Sequence, residues 1–314
     1  VNIDLSAEAL EFGSLARRAL EAAGGDELLR SAESEPNQRE RIIAPLLADL
    51  GAWDLEPRAN RDELEAAAAL CRSAGYWALA YPVAERLCRP AGLDTDGLVV
   101  VSDAAPAGAI AGLDLRWSAV TLDGRRSMAT GSPLLEPARV SAFVTPLALE
   151  PIDDGGGADV ALGLLLPCWT LLGMLDRALD LVRGYVLERQ QFGQPLAAFQ
   201  GVQFQLTDAE VERTGLEELA KYALWSIESA RPESLDDALA VRLAAIEAAD
   251  AVFRVAHQLH GAIGFCDEAT LSWISRYSAP LRRLPFGLSG TLHQLSLRLS
   301  PHGLSGIFGG GTSR

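Results

Sequence analysis

The hydrophobic positions of this chain fall into three zones of different period. From Ser6 to about Leu87 the pattern is mostly helical: Phe12, Leu15, Ala16, Ala19 and Leu20 share one stripe, and Leu46, Leu47 and Leu50 continue another after Pro45. That proline opens or kinks its helix, and helical texture resumes from Asp62 to Leu87. Between about Pro90 and Pro151 the period changes to short β-rich runs, Leu98 to Val101, Arg116 to Leu122 and Ala142 to Leu147, separated by turns such as Asp123-Gly124. The stretch Asp153-Asp154-Gly155-Gly156-Gly157 has little folding preference of its own and suits a hinge. Long helical patterns return from Val160 to about Leu299: Leu171 to Gln190, Gln203 to Ser229 and Ser234 to His260. In the last of these, Leu235, Leu239, Leu243, Ile246, Ala249, Phe253, Ala256 and Leu259 recur at helical spacing, and Ser234 with Asp237 forms an N-terminal cap just after Pro232.

Three or four such antiparallel helices make a bundle. The reading is therefore a mainly α chain: an N-terminal helical domain over 1–89, a small reduced β domain with its hinge over 90–157, and a C-terminal four-helix bundle over 158–314. The glycine-rich tail Gly309 to Arg314 has nothing apolar with which to dock and reads as a frayed end. No internal repeat at a fixed period is evident.

Composition narrows the function classes. A formal charge of -15 and a pI near 4.7 argue against nucleic acid, which needs a concentrated basic surface, and against an anionic membrane. Four cysteines, Cys71, Cys88, Cys168 and Cys266, are widely spaced without CxxC pairing, which suggests buried reduced thiols and neither a zinc site nor a disulfide scaffold. The apolar run Val160 to Leu175 contains Pro167 and is short for a membrane span, and the first residues lack a signal-peptide pattern, so the cytoplasm is the expected location.

Two motifs carry candidate chemistry. The first is Glu188-Arg189-Gln190-Gln191-Phe192-Gly193-Gln194-Pro195-Leu196, followed by Phe199-Gln200-Gly201-Val202-Gln203. A helix ends by Gly193, Pro195 turns the chain and a new helix begins near Gln203, so a guanidinium and a phenyl ring at a helix end make a corner for an anion and a ring. The second is His257-Gln258-Leu259-His260-Gly261-Ala262-Ile263-Gly264-Phe265, followed by Asp267, Glu268 and Arg276. Glycines closing a long helix allow a ligand or a second backbone to come close, and Gln258 can hydrogen-bond a phosphate oxygen. Taken singly, each has a plainer alternative: the first can be a helix C-cap with an exposed ion pair, and His257 with His260 can be structural or a pair of metal ligands lacking a third.

In this order, with long helices between them, the two motifs resemble the C-terminal half of the acyl-CoA dehydrogenase family, from about Val160 to Arg276. Leu47 to Trp53 and Ala74 to Val83 resemble the family's N-terminal helices, and the middle zone matches poorly. The resemblance implies an acyl-CoA dehydrogenase-like fold and FAD held partly by a neighbouring subunit. By similarity, Arg189, Phe192 and Gln200 contact the ADP half of that flavin, and Gln258 with the backbone around Gly261 faces its pyrophosphate. Where the family has a second consecutive glycine, this chain has Ala262.

The family's reaction needs a carboxylate base, and members place it in one of two positions. One corresponds here to Ser289 within Leu288-Ser289-Gly290-Thr291, or, counting from Arg276, to a place near Pro285. From Ala269 to Arg314 there is no Asp or Glu at all. The other falls near Gly163, and Val160 to Leu175 is likewise free of acidic residues. The middle zone lacks the stretch with which family members hold the isoalloxazine and acyl-CoA.

This combination resembles the degenerate, non-catalytic subunit of the α2β2 acyl-CoA dehydrogenases of actinobacterial steroid catabolism. It implies FAD shared with a catalytic partner subunit in a heterotetramer, an electron-transfer acceptor, and a role in lipid degradation. Two other readings stay open: a self-sufficient dehydrogenase with an unrecognised base, Asp159, Asp176 or Glu268, and a flavin-free scaffold on the same fold.

Overall fold

The computed structural model describes residues 2–35, 39–132, 143–153 and 155–300. The N-terminal zone forms α1 (Ala7–Ala22), α2 (Asp26–Ser34), α3 (Arg39–Asp49), α4 (Arg61–Tyr76) and α5 (Val83–Leu87). Side chains start two of these helices: Ser6 Oγ accepts from the Ala9 N–H at 3.3 Å, and Asn60 Oδ1 from the Glu63 N–H at 3.0 Å. Of the anticipated α1 stripe, Ala16 and Leu20 are buried while Leu15 stays exposed. Pro45 sits inside α3 and does not open it.

The middle zone is a five-stranded sheet of β1 (Gly97–Val100), β2 (Ala107–Gly108), β3 (Trp117–Val120), β4 (Arg126–Gly131) and β5 (Thr145–Asp153), in the order β1-β3-β4-β5-β2. β1 runs parallel to β3, with Leu98 opposite Ser118, and the remaining pairs are antiparallel. Asp123-Gly124 is the tip of the β3–β4 hairpin, where Gly124 takes a φ of 88°. A small cluster including Val99, Trp117, Ala129 and Leu147 packs one side of the sheet. The hinge reading is corrected in part. Gly155 donates to Asp153 Oδ1 at 2.7 Å and Gly156 to the Gly124 carbonyl at 2.8 Å, and a Cβ on Gly156 would stand 2.5 Å from Arg126 Cγ. Glycine here permits a tight corner, not free swinging. Asp154 and the predicted frayed end Gly309 to Arg314 lie outside the described residues.

The bundle consists of α6 (Gly157–Glu188), α7 (Gln200–Glu228), α8 (Ser234–His260) and α11 (Gly287–Leu299), with α9 (Thr270–Tyr277) and α10 (Ala279–Arg283) between the last two. α8 spans the residues its stripe marks. Its cap does not follow the prediction: Glu233 is the N-cap, Ser234 is already helical, and Asp237 Oδ2 instead accepts from Ser226 Oγ at 2.5 Å. α6 is long and apolar enough to cross a membrane by length and composition alone, but 78% of its most apolar window is buried within the protein, so its apolarity is explained by core packing.

α4 lies directly on α6, and two glycines set the distance. A Cβ on Gly75 would stand 1.9 Å from the Thr170 carbonyl oxygen, and one on Gly173 would stand 1.9 Å from that of Arg72. Any side chain at either place pushes the two backbones apart. The N-terminal helices and the bundle consequently share one apolar core, running from Ala16 and Leu20 through Trp169 and Leu172 to Leu259. Beside this crossing, Arg72 bridges Asp176 at 2.7 Å and Glu217 at 2.7 Å, and Arg213 bridges Asp176 at 3.3 Å and Glu217 at 2.7 Å. Burial acts to raise the Glu217 carboxyl, but the hydrogen bonds and charges of Arg72 and Arg213 prevail and bring it down to about 2.

Candidate functional site

α6 and α7 run in opposite directions, as the contacts Arg183 to Glu210 and Arg213 to Asp176 require, and α8 reverses again. The C-terminal ends of α6 and α8 therefore meet. There the Tyr185 ring stacks on the His260 ring, with centroids 4.5 Å apart and an interplanar angle of 18°. Both sequence motifs are thus at one end of the bundle, which the sequence order alone does not dictate.

The first motif differs in detail from expectation. α6 stops at Glu188, so the helix has ended by Gly193 as expected, but a two-residue ladder follows in which β6 (Gln190–Gln191) pairs with β7 (Gln194–Pro195). Phe192 and Gly193 form the turn with φ of 52° and 80°, the two left-handed positions of a type I′ hairpin. Pro195 lies in the returning strand, and α7 opens at Gln200, not at Gln203. Phenylalanine is a strained choice for that turn, by about 1 kcal/mol. Its ring is 93% exposed and touches Phe199 edge-on at 6.2 Å. A strained residue presenting an apolar ring to solvent is a mark of a binding surface.

Arg189, Gln200 and Gln258 are exposed, and no side-chain hydrogen bond or ion pair is found for them among the described residues. Arg189 is the C-cap of α6, as the plainer alternative has it, but its side chain makes no ion pair among the described residues. Gly261 takes a φ of 66°, and a Cβ there would meet nothing within 4 Å, so its backbone is open on the outer side. His257 stacks on Phe265 at 4.3 Å, and burial followed by the neighbouring His260 keeps its pKa below the ordinary histidine value. His260 stacks on Tyr185 and places Nδ1 2.9 Å from the Ala256 carbonyl, so both rings are held by packing. The donors at this end are an unpaired guanidinium and two free side-chain amides beside an exposed ring, while the Gly261 N–H is taken by the His257 carbonyl. This arrangement fits a dinucleotide's phosphates and aromatic system.

A second region lies across the molecule. A narrow cleft open to solvent runs between α5, β1, β2, α6, α8 and α10. Gly163 and Pro285, two of the places named for a family base, both line it. A Cβ at Gly163 would stand 2.6 Å from Val100 Cγ2, so a side chain here would require Val100 to move. Ser289 is exposed on α11. Asp159 is held by Arg58 at 2.9 Å and Arg126 at 3.6 Å, Asp176 belongs to the Arg72 and Arg213 network, and Glu268 is exposed. None of the three lines the cleft.

One carboxylate does, and the sequence reading missed it. Glu85, in the first turn of α5, lines this cleft and an adjoining one, and desolvation pushes its carboxyl up to about 7. Part of its surface still faces the cleft. Within Pro82-Val83-Ala84-Glu85 it reads as an ordinary first-turn acid, and only the tertiary fold carries it to the cleft. Arg242 of α8 lines the same cleft.

Residues 163–289 match the acyl-CoA dehydrogenase C-terminal domain. The chain is 38% identical over 96 residues to 3-sulfinopropanoyl-CoA desulfinase of Paraburkholderia xenovorans (strain LB400), a match covering 30% of this chain and 24% of that protein. It is 31% identical over 156 residues to acyl-CoA dehydrogenase FadE27 of Mycobacterium tuberculosis (strain ATCC 25618 / H37Rv), covering 45% and 40% respectively. The matched stretch thus spans about a quarter to two-fifths of these relatives' length. The whole fold is that of acyl-CoA dehydrogenases. It is similar to a steroid ACAD, the Tcur3481–Tcur3483 G363A variant, with a TM-score of 0.77 at 19% identity over 94% of this chain and 98% of that one. It is also similar to the ChsE4–ChsE5 complex from Mycobacterium tuberculosis, with a TM-score of 0.75 at 18% identity over 97% and 100%.

Proposed function

We propose that this chain is the non-catalytic subunit of a heteromeric FAD-dependent acyl-CoA dehydrogenase, and that it completes the FAD site of a catalytic partner. The observation that carries this reading is the asymmetry between its two regions. The bundle end presents Arg189, Gln200 and Gln258 outward with no side-chain hydrogen bond or ion pair among the described residues, beside the exposed Phe192 and the open face of Gly261, whereas the place near Gly163 is crowded by Val100 and the stretch from Ala269 onward holds no acid.

In this reading Arg189 donates charge-assisted hydrogen bonds to the diphosphate, Phe192 packs against the ADP half, and Gln258 donates to the pyrophosphate, which the open face of Gly261 lets come close. FAD, when bound, supplies the hydride acceptor for α,β-desaturation of an acyl-CoA thioester, and the partner supplies the base. Exposed apolar side chains near the same end and on α7, Phe192, Phe204, Val211, Ile263 and Phe265, favour burial against another subunit. A heterotetramer, an electron-transfer acceptor and a steroid-derived substrate belong to the same proposal, supported by similarity to the two heteromeric structures above. Co-expression with a candidate catalytic subunit tests it: flavin absorbance should co-purify with the complex and not with this chain alone.

Glu85 favours the second reading, a self-sufficient dehydrogenase, because it is a carboxylate in the cleft. Turnover by the isolated chain separates the two.

A further inference from the structure

Away from the bundle end and the cleft, α1 and α4 border a trough. Small residues bring the two helices together: Ser73 Oγ donates to the Gly13 carbonyl at 2.8 Å, and a Cβ on Gly13 would stand 3.1 Å from that of Ala69. Such short side chains leave room beside the contact, where Leu5, Leu10, Arg17 and Arg18 flank a cavity of about 330 Å³. A second cavity of about 240 Å³ continues it between α1, α4, α6 and α7, and Arg17 and Arg72 line both. None of the residues of this trough lines the cleft beside Glu85.

The charge of the trough is the reverse of the chain's. The whole sequence has 27 Lys and Arg against 42 Asp and Glu, whereas five arginines and three acids line the two cavities. Most of these charges are matched: Asp176 and Glu217 hold Arg72 and Arg213, and Asp180 and Glu210 hold Arg183. Arg17 and Arg18 are the surplus. The Arg17 guanidinium rests 4.0 Å over the Tyr76 ring and lies 3.8 Å from Asp176, at the outer limit of an ion pair. Arg18 is exposed, with no side-chain hydrogen bond, ion pair or ring contact among the described residues. Two neighbouring guanidiniums, one of them oriented by a ring, are suited to one carboxylate or phosphate head.

The other end of the trough is apolar. Leu5, Leu10 and Ala69 line it, and Leu10 is 53% exposed, so covering it removes apolar surface from water. Leu10 and Arg17 are two turns apart on α1, about 10 Å, which an aliphatic chain of roughly eight to ten carbons spans. With a net charge of -15 the chain is repelled by an anionic membrane surface, so the matching ligand is a dispersed molecule.

We propose that the trough between α1 and α4 binds an amphipathic anion, a single carboxylate or phosphate head on an aliphatic chain. Arg17 and Arg18 receive the head, and Leu5 and Leu10 cover the chain. This site is separate from the flavin-sharing end of the bundle and stands whether or not that reading holds.

The test is calorimetric titration of the full chain near neutral pH with decanoate, decyl phosphate, 1-decanol and acetate. At least one of the two long-chain anions should bind about tenfold or more tighter than 1-decanol and than acetate, and its affinity should fall as salt is added; whichever binds tighter identifies the head. Arg18→Gln removes a side chain that holds nothing in the fold, so it should weaken that binding about tenfold without changing the melting temperature. Leu10→Ser should weaken it about three- to fivefold. No binding of either anion, 1-decanol binding as tightly as both, or acetate binding as tightly as both overturns the proposal. So does full affinity in Arg18→Gln, which would place the anion elsewhere, the cleft included.

Discussion

The ring of Tyr185, one turn before the end of α6, lies 4.5 Å from the ring of His260 at the end of α8. This contact joins two motifs that are about 70 residues apart in the chain, and it fixes Arg189 and Gln258 at the same end of the bundle. Arg189→Ala should therefore weaken flavin retention in the partner complex by about tenfold, through loss of a charge-assisted contact, without changing the melting temperature of this chain. Unchanged flavin content of the purified complex would remove Arg189 from the shared site.

Phe192 allows stability and binding to be separated. Replacing it with glycine relieves the left-handed backbone, so Phe192→Gly should leave the fold unchanged or stabilise it by about 0.5–1 kcal/mol, while flavin retention falls. Thermal melts of the chain and flavin absorbance of the complex read the two effects independently. Loss of stability with flavin retained would show that the ring serves packing.

The α4–α6 crossing predicts severe intolerance. Gly173→Ala places a methyl group 1.9 Å from a backbone oxygen, where no rotamer change gives relief, and should cost about 3 kcal/mol or more in chemical denaturation. Gly184→Ala, further along α6 where nothing lies within 4 Å of the added Cβ, is the matched control and should be neutral or stabilising.

Two carboxylates give opposite pH signatures. Glu217 is held down to about 2 in the folded chain, so its contribution is present above its ordinary value of 4.5 and is lost as pH falls towards 2. Glu217→Gln should reduce stability near neutrality by about 1–2 kcal/mol after allowance for solvent screening, and the gap should close in acid. Glu85 is raised to about 7, so the folded chain is favoured below 4.5 and loses that advantage as pH rises through 7. Glu85→Gln should stabilise the chain at alkaline pH by roughly 3 kcal/mol, with no gain below about 4.5. Denaturation midpoints across this range check both signs.

Much of this structure can be read from periodicity. α8 is legible because its stripe repeats without interruption for 27 residues, and β1 and β3 are legible as compact apolar runs. β4 is not, because Arg126 to Gly131 is half-buried and polar and is held as a strand by ladder bonds to β3 and β5. The Phe192-Gly193 turn escapes notice because phenylalanine is not a residue that type I′ geometry calls for. Arg189 and Gln258 stand out in the sequence as polar groups at helix ends, and only their role at a flavin comes from the resemblance. Glu85 does not stand out, since its significance arises from what α6, α8 and α10 bring around it.

Which subunit holds the proton acceptor decides what this chain does. The most direct measurement is turnover of an acyl-CoA thioester by the isolated full chain, supplied with saturating FAD and an artificial electron acceptor, beside the complex with its catalytic partner. The account predicts desaturation by the complex and none by the chain alone. Desaturation by the isolated chain at a rate comparable to the complex, abolished by Glu85→Gln, would contradict it and assign the chemistry to this subunit.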